Sequence, residues 1–246
     1  MGKKKLTIKI ITLFPKFVED FVENFGIVRK AIKGKLLTIQ AVNLRNFGLD
    51  RRGTVDGRPY GGGVGMLLRA DVLFKAVQSA GKSKVKSQKS KVVLLTPQGK
   101  KFDQATAKRL SKVDNLIFVC GRYEGFDERI RQFADEEISI GDYVLMGGEL
   151  PALVIAEAVM RLRPGIIGKI ESTTNESFAN RTLFNGRPKV SLLEYPQYTK
   201  PEVWKLGKKK YSVPKVLLTG HHKNITDFRN KEAVKRTKKR RPDLLR

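Results

Sequence analysis

The chain has 246 residues, with 50 Lys and Arg against 24 Asp and Glu, a formal net charge of +26. Its 40% apolar content is enough for a packed core and excludes wholesale disorder. The one cysteine, Cys120, excludes an internal disulfide and points to a reducing compartment; with only the adjacent His221 and His222 beside it, a closed zinc site is excluded too.

The first apolar run, Leu6 to Leu13, reads as a strand. Lys3–Lys5 before it resemble the start of a signal peptide, but Lys9 interrupts the run and no small-residue cleavage site follows. No apolar stretch reaches the roughly 18–20 residues of a membrane span, so a soluble, cytoplasmic chain with no membrane partner is expected. Phe14 to Phe25 carries apolar residues at 14, 17, 18, 21, 22 and 25, a helical stripe. Asp71 is placed to cap a helix over Val72–Ser79, and Asp103 one running to Leu110.

Three further apolar runs each enter a loop rich in Gly or Pro. Val92–Leu95 leads into Thr96-Pro97-Gln98-Gly99, and Leu116–Val119 into Cys120-Gly121-Arg122-Tyr123-Glu124-Gly125. Ile138-Ser139-Ile140 leads into Gly141-Asp142-Tyr143-Val144-Leu145-Met146-Gly147-Gly148-Glu149-Leu150-Pro151. Runs this short and dense in Val and Ile suit strands buried on both faces. Pro151 fits the first turn of a helix reaching about Arg161. Strand, loop and helix in repetition predict an α/β fold with a largely parallel sheet, in which ligands sit beyond the carboxyl ends of the strands. All three loops fall there. One such loop is explained by a tight turn; three in one register suggest a nucleoside-type pocket held by main-chain groups.

Other sites are absent. Gly61-Gly62-Gly63-Val64-Gly65 has neither the spacing of a dinucleotide fingerprint nor a Gly-Lys-Ser/Thr ending, and no G-x-S-x-G elbow occurs. From Glu171 to Ser191 the composition turns to Ser, Thr, Asn, Gly and Arg, which reads as a linker or mobile loop. The division expected is 1–170, a linker at 171–191, and a small basic unit at 192–246. Residues 200–246 hold sixteen Lys or Arg against four Asp or Glu. Nucleic acid is the commonest partner for such a surface, and general solubility is the plainer alternative. The basic run Gly81–Lys91 reads as a solvated loop.

Six segments carry a resemblance. They are Gly53–Gly63 (GTVDGRPYGGG), Cys120–Arg129 (CGRYEGFDER), Ile138–Leu145 (ISIGDYVL), Gly147–Pro151 (GGELP), Leu193–Glu202 (LEYPQYTKPE) and Arg236–Pro242 (RTKKRRP). In this order, from about Leu6 to Leu245, the chain resembles the bacterial tRNA (guanine-N1)-methyltransferases of the SPOUT superfamily. The resemblance implies S-adenosylmethionine as methyl donor, the guanosine 3′ of the anticodon in tRNA as acceptor, a homodimer, a benefit from magnesium, and a deep trefoil knot beside a small helical C-terminal domain. It implies that the cofactor is held by Leu95, Thr96, Pro97 and Gly99; by Gly121, Tyr123, Glu124 and Gly125; and by Ser139, Ile140, Gly141, Tyr143, Leu145, Gly147, Gly148 and Pro151.

The family's catalytic arginine precedes a Pro-Gly pair, which makes it Arg161 ahead of Pro164-Gly165. Its base is an aspartate directly before Ser-Phe; here Glu176 stands before Ser177-Phe178, one methylene longer. Glu171 is the alternative carboxylate. Met146 replaces a usual serine, and Ala179–Ser191 lengthens the linker. Ser172 and Glu194 match tRNA-contact positions, and Arg229, Arg236 and Arg240 fall on one side of the last helix, where solvation alone is the plainer explanation. An RNA binder with impaired catalysis, and a SPOUT methyltransferase with another RNA target, remain competing readings.

Overall fold

A computed structural model of the chain describes residues 5–81, 90–168, 176–181 and 190–245, with main chain only at 179–181 and 190. Ser172, Glu171, most of the 171–191 linker and most of the Gly81–Lys91 run lie outside the described residues. The chain divides into two compact units, Met1–Lys169 and Ile170–Arg246.

The first unit opens with β1 (Leu6–Thr12), whose Leu6, Ile8, Ile10 and Ile11 are fully buried. Thr12 ends it: the hydroxyl accepts the N–H of Phe14 at 2.9 Å and donates to Glu149 Oε1 at 2.7 Å. α1 (Pro15–Asn24) follows, with proline in its first turn where no N–H is needed. A second helix, α2 (Gly26–Lys33), and a strand, β2 (Leu37–Asn43), were not anticipated. β3 (Asp56–Gly57) and β4 (Leu67–Leu68) pair as a short antiparallel ladder. α3 (Ala70–Ser79) corrects the expected cap. Arg69 flanks the helix, and Asp71 sits inside the first turn, where it holds the Arg69 guanidinium at 2.9 and 3.1 Å. The Arg69 hydrogen bonds and charge lower the Asp71 pKa most, and the Val72 N–H, which Asp71 accepts at 3.0 Å, lowers it further.

β5 (Ser90–Lys101) leads to α4 (Gln104–Leu110), capped as expected by Asp103, which accepts the Thr106 N–H at 2.7 Å. β6 (Asn115–Cys120), β7 (Glu136–Ser139) and α5 (Glu149–Met160) complete the unit. The main sheet has the order β2-β1-β6-β5-β7, and every neighbouring pair is parallel. Both faces are buried: Val93, Leu95, Leu116 and Phe118 join α1, α2, α4 and α5 on one side. Val92, Leu94, Ile117 and Val119 meet α3 on the other. This is the pattern that the unalternated apolar runs predicted.

The second unit contains the ladder of β8 (Ala179–Arg181) with β9 (Val190–Leu192), a hairpin of β10 (Val203–Leu206) with β11 (Lys209–Ser212), and α6 (His222–Arg240). Two stretches of the segment read as a linker, 179–181 and 190–191, therefore belong to paired strands. Main-chain hydrogen bonding is indifferent to the polar side chains that suggested a loop. α6 is anchored by its buried Ala233 and Thr237, and the Thr237 hydroxyl accepts the Leu193 N–H at 2.9 Å.

Candidate active site

β5, β6 and β7 run side by side and end at the same edge, beside the N-terminus of α5. β5 pairs with β7 up to Leu95↔Ile138, leaves the sheet over residues 96–99, and pairs again at Lys100↔Ile138. Gly99 makes the return possible: a Cβ there would lie 2.4 Å from Ile138 N and 2.6 Å from Glu137 C.

The strand ends enclose a cavity of about 320 Å³. Leu95, Thr96 and Pro97 line it from the first loop, and Gly121, Tyr123, Glu124 and Gly125 from the second. Ser139, Ile140, Gly141, Tyr143, Leu145, Gly147, Gly148 and Pro151 line it from the third. Of the residues singled out for this pocket, Gly99 alone is not in the lining; its place is between β5 and β7.

The second and third loops are joined by the Gly148 N–H to Gly121 O hydrogen bond at 2.9 Å and by an isolated bridge between Arg122 and Gly147. Gly148 is packed so closely that a Cβ would meet Cys120 Cα at 2.6 Å and Gly121 N at 2.8 Å. Tyr123, a non-glycine at φ +57°, turns the second loop into the cavity. Ser139 holds the third: its hydroxyl accepts from Gly141 N at 3.2 Å and donates to Gly141 O at 2.9 Å.

Several lining residues were missed by the sequence reading, among them Gln98, Phe126 and Arg131. Arg131 binds Gln98, Glu137 and, at 2.7 Å, Glu128, tying the first loop to β7. The available signal was charge: an arginine three residues after Glu128 and six before Glu137. Arg122 lies over the Phe14 ring, 4.7 Å from its centroid. Burial raises the Cys120 thiol pKa well above its ordinary value, and the Glu149 charge adds to this, so the thiol is a packed, protonated group.

Arg161 caps the end of α5 in the first unit, half-buried, its N–H donating to Glu157 O at 3.2 Å. Glu176, also half-buried, belongs to the second unit. Next to it, Ser177 Oγ accepts the Glu194 N–H at 3.0 Å. Arg236 donates to Glu194 O at 3.3 Å, and Arg229 stacks over Tyr195 at 4.9 Å. Two of the three arginines on that side of α6 thus brace the 194–195 segment, while Arg240 is exposed.

A parallel sheet whose strand ends enclose a ligand-sized cavity walled by glycines and main-chain groups, with a separate strongly basic unit, defines a two-unit α/β binding protein. The family model described as tRNA (Guanine-1)-methyltransferase TrmD matches residues 6–246, and the chain belongs to that family. It is 46% identical over 240 residues to a tRNA (guanine-N(1)-)-methyltransferase of Dictyoglomus turgidum, covering 98% of this chain and 90% of the relative. A relative of that description from Psychromonas ingrahamii is 47% identical over 240 residues, covering 97% and 91%. One from Mycoplasmopsis synoviae is 44% identical over 240 residues, covering 98% and 97%. Among the described residues, no helix is long and apolar enough to cross a membrane.

Proposed function

We propose that the protein transfers a methyl group from S-adenosylmethionine to N1 of the guanosine 3′ of the anticodon in tRNA. The observation that carries this reading is the strand-end cavity, lined by all but one of the residues that the resemblance assigns to the cofactor. The pocket fits such a ligand: its glycines leave main-chain groups accessible, and at Gly148 there is no room for any side chain. S-adenosylmethionine, when bound, supplies a methyl group made electrophilic by its sulfonium.

The acceptor sets the demands on the protein. Guanine N1 carries a proton and its lone pair is delocalised into the lactam, so the proton must leave as the new bond forms. The Glu176 carboxylate takes that proton as general base. Negative charge then gathers on O6, where the permanently charged Arg161 guanidinium stabilises it. Among the described residues no group of three or more His, Cys, Asp or Glu is placed to hold a metal ion.

In this reading the first unit binds the cofactor and the second grips tRNA in the cytoplasm, with Ser172, Glu194, Arg229, Arg236 and Arg240 contributing contacts. A homodimer is supported by exposed apolar residues on two helices that pack together: Phe14 and Phe17 at the start of α1, Leu150 and Val154 on α5. A deep trefoil knot is part of this reading because the resemblance implies it. Impaired catalysis is the competing reading, favoured by Glu176 where the family's base is an aspartate.

Transfer of labelled methyl to a tRNA transcript with guanosine 3′ of the anticodon tests the proposal, beside a transcript with adenosine there. Guanosine-dependent labelling is expected; binding of both ligands without transfer would support the impaired reading instead. Gly148→Ala is expected to weaken S-adenosylmethionine binding roughly 10- to 100-fold by calorimetry. The added methyl meets rigid main chain, and overpacking of that kind costs about 1–3 kcal/mol. Binding of tRNA is expected to fall at least about 100-fold between roughly 50 and 200 mM salt in a filter assay, as phosphate neutralisation by many cations requires.

A further inference from the structure

The β10–β11 hairpin has no evident role in the fold. All eight of its strand residues are exposed. An isolated two-stranded hairpin is marginal in water, and one that packs on a core normally hides one face. Here the register places Trp204 opposite Tyr211, Lys205 opposite Lys210 and Leu206 opposite Lys209. Gly207, at φ +56°, makes the two-residue turn with Lys208. Because alternate residues share a face, Trp204, Tyr211 and Leu206 lie together, 55%, 47% and 57% exposed. The two rings are 5.3 Å apart and tilted by 32°. Lys205 and Lys210 occupy the opposite face, and no acidic residue occurs from 203 to 212.

Exposed aromatic rings beside cations need an occupant that is both planar and anionic. A second copy of the hairpin would bring two lysine-rich ribbons together, and like charges oppose that pairing. A bilayer surface would engage one face and leave Lys205 and Lys210 on the other. A single strand of RNA can stack its bases on the rings while its phosphates meet Lys209 on that face and Lys208 in the turn, and can continue around the narrow ribbon to Lys205 and Lys210. We propose that this hairpin is a stacking platform for one or two unpaired bases of tRNA, gripped by Trp204 and Tyr211, with Lys205, Lys208, Lys209 and Lys210 holding the flanking phosphates. The proposal rests on the tRNA-handling role of the second unit and specifies a base-contact site within it.

Trp204 is the sole tryptophan, so its fluorescence reports on this site alone. Titrating the full chain with the guanosine-bearing tRNA transcript is expected to quench its emission by about half and to shield it from acrylamide. A blunt RNA duplex, which offers phosphates but no free base, is expected to bind without that change. Trp204→Leu is expected to weaken tRNA binding roughly 5- to 50-fold, and Trp204→Phe to restore most of it.

Unchanged emission while tRNA binds would overturn the proposal, as would equal quenching by the duplex. Shielding that grows with protein concentration in the absence of RNA would assign the face to a second copy, and shielding by anionic vesicles but not by tRNA would assign it to a membrane. The methylation reading would survive each of these results; it fails instead if saturating tRNA and cofactor give no guanosine-dependent transfer.

Discussion

Glu176→Gln is expected to lower the rate of methyl transfer by about 10²–10⁴-fold while leaving tRNA and cofactor binding within a few-fold of the parent. The amide has nearly the shape of the carboxylate but cannot take the N1 proton, so only a step in which that proton moves should suffer. Single-turnover transfer of labelled methyl at saturating ligands measures it. Raising the pH towards the ionisation of guanine N1 should partly restore the variant, because the substrate then arrives without its proton. Glu176→Asp addresses the extra methylene. The two side chains differ in reach by roughly 1.5 Å, so a drop of tenfold or more would mean that the chain around Ser177 is set for glutamate. Full activity in Glu176→Gln would transfer the role to another carboxylate, with Glu171 the first to test.

Arg161→Ala is expected to cost about 10²–10³-fold in kcat, the range for removing one fixed donor from a developing oxyanion, with little change in KM for tRNA. High pH should not rescue it, because the missing group stabilises O6 and moves no proton. The opposite pH behaviour of the two variants separates base from electrostatic stabiliser. Arg161 also sits at the carboxyl end of α5, where a cation favours the helix dipole by about 0.3–1 kcal/mol. Arg161→Lys keeps that charge and loses the planar fork, so a large rate loss in the lysine variant with unchanged melting temperature would assign the effect to chemistry.

Two of the strands that build the pocket, β5 and β6, were legible because their apolar runs are buried on both faces. Val92–Leu95 and Leu116–Val119 leave no polar alternate, and such runs have few other uses, whereas Ile138 is the single apolar residue of β7. The pocket followed from them, since the glycines after each run had to lie at one edge of the sheet. What escaped was structure carried by main-chain pairing or by single charges. α2 is short and carries Arg29, Lys30 and Lys33, and in β2 the polar Thr38 and Gln40 break the apolar run. Asp71 lies inside the first turn of α3, where it pairs with Arg69 and accepts the Val72 N–H, a placement that spacing rules do not register. The β8–β9 ladder has three-residue strands, Ala179–Arg181 and Val190–Leu192, too short to show a pattern. Gly99 lies in the expected loop, where it allows two strands to touch, and it is not part of the cavity lining.

The strand order has a consequence for how the chain is made. β1 is a central strand, flanked by β2 and β6, with Ile8 beside both Ile39 and Leu116. During synthesis its β2 edge is satisfied early, but the other edge waits until roughly a hundred more residues have emerged, on the order of ten seconds at ribosomal speed. Throughout that interval Leu6, Ile8 and Ile10 belong to an unfinished sheet with an open, sticky margin. With every neighbour parallel, no local hairpin can cover it provisionally. The nascent chain should therefore be a strong client for ribosome-associated chaperones until β6 is out, and stalling translation shortly before Asn115 should raise its aggregation far more than stalling after Cys120.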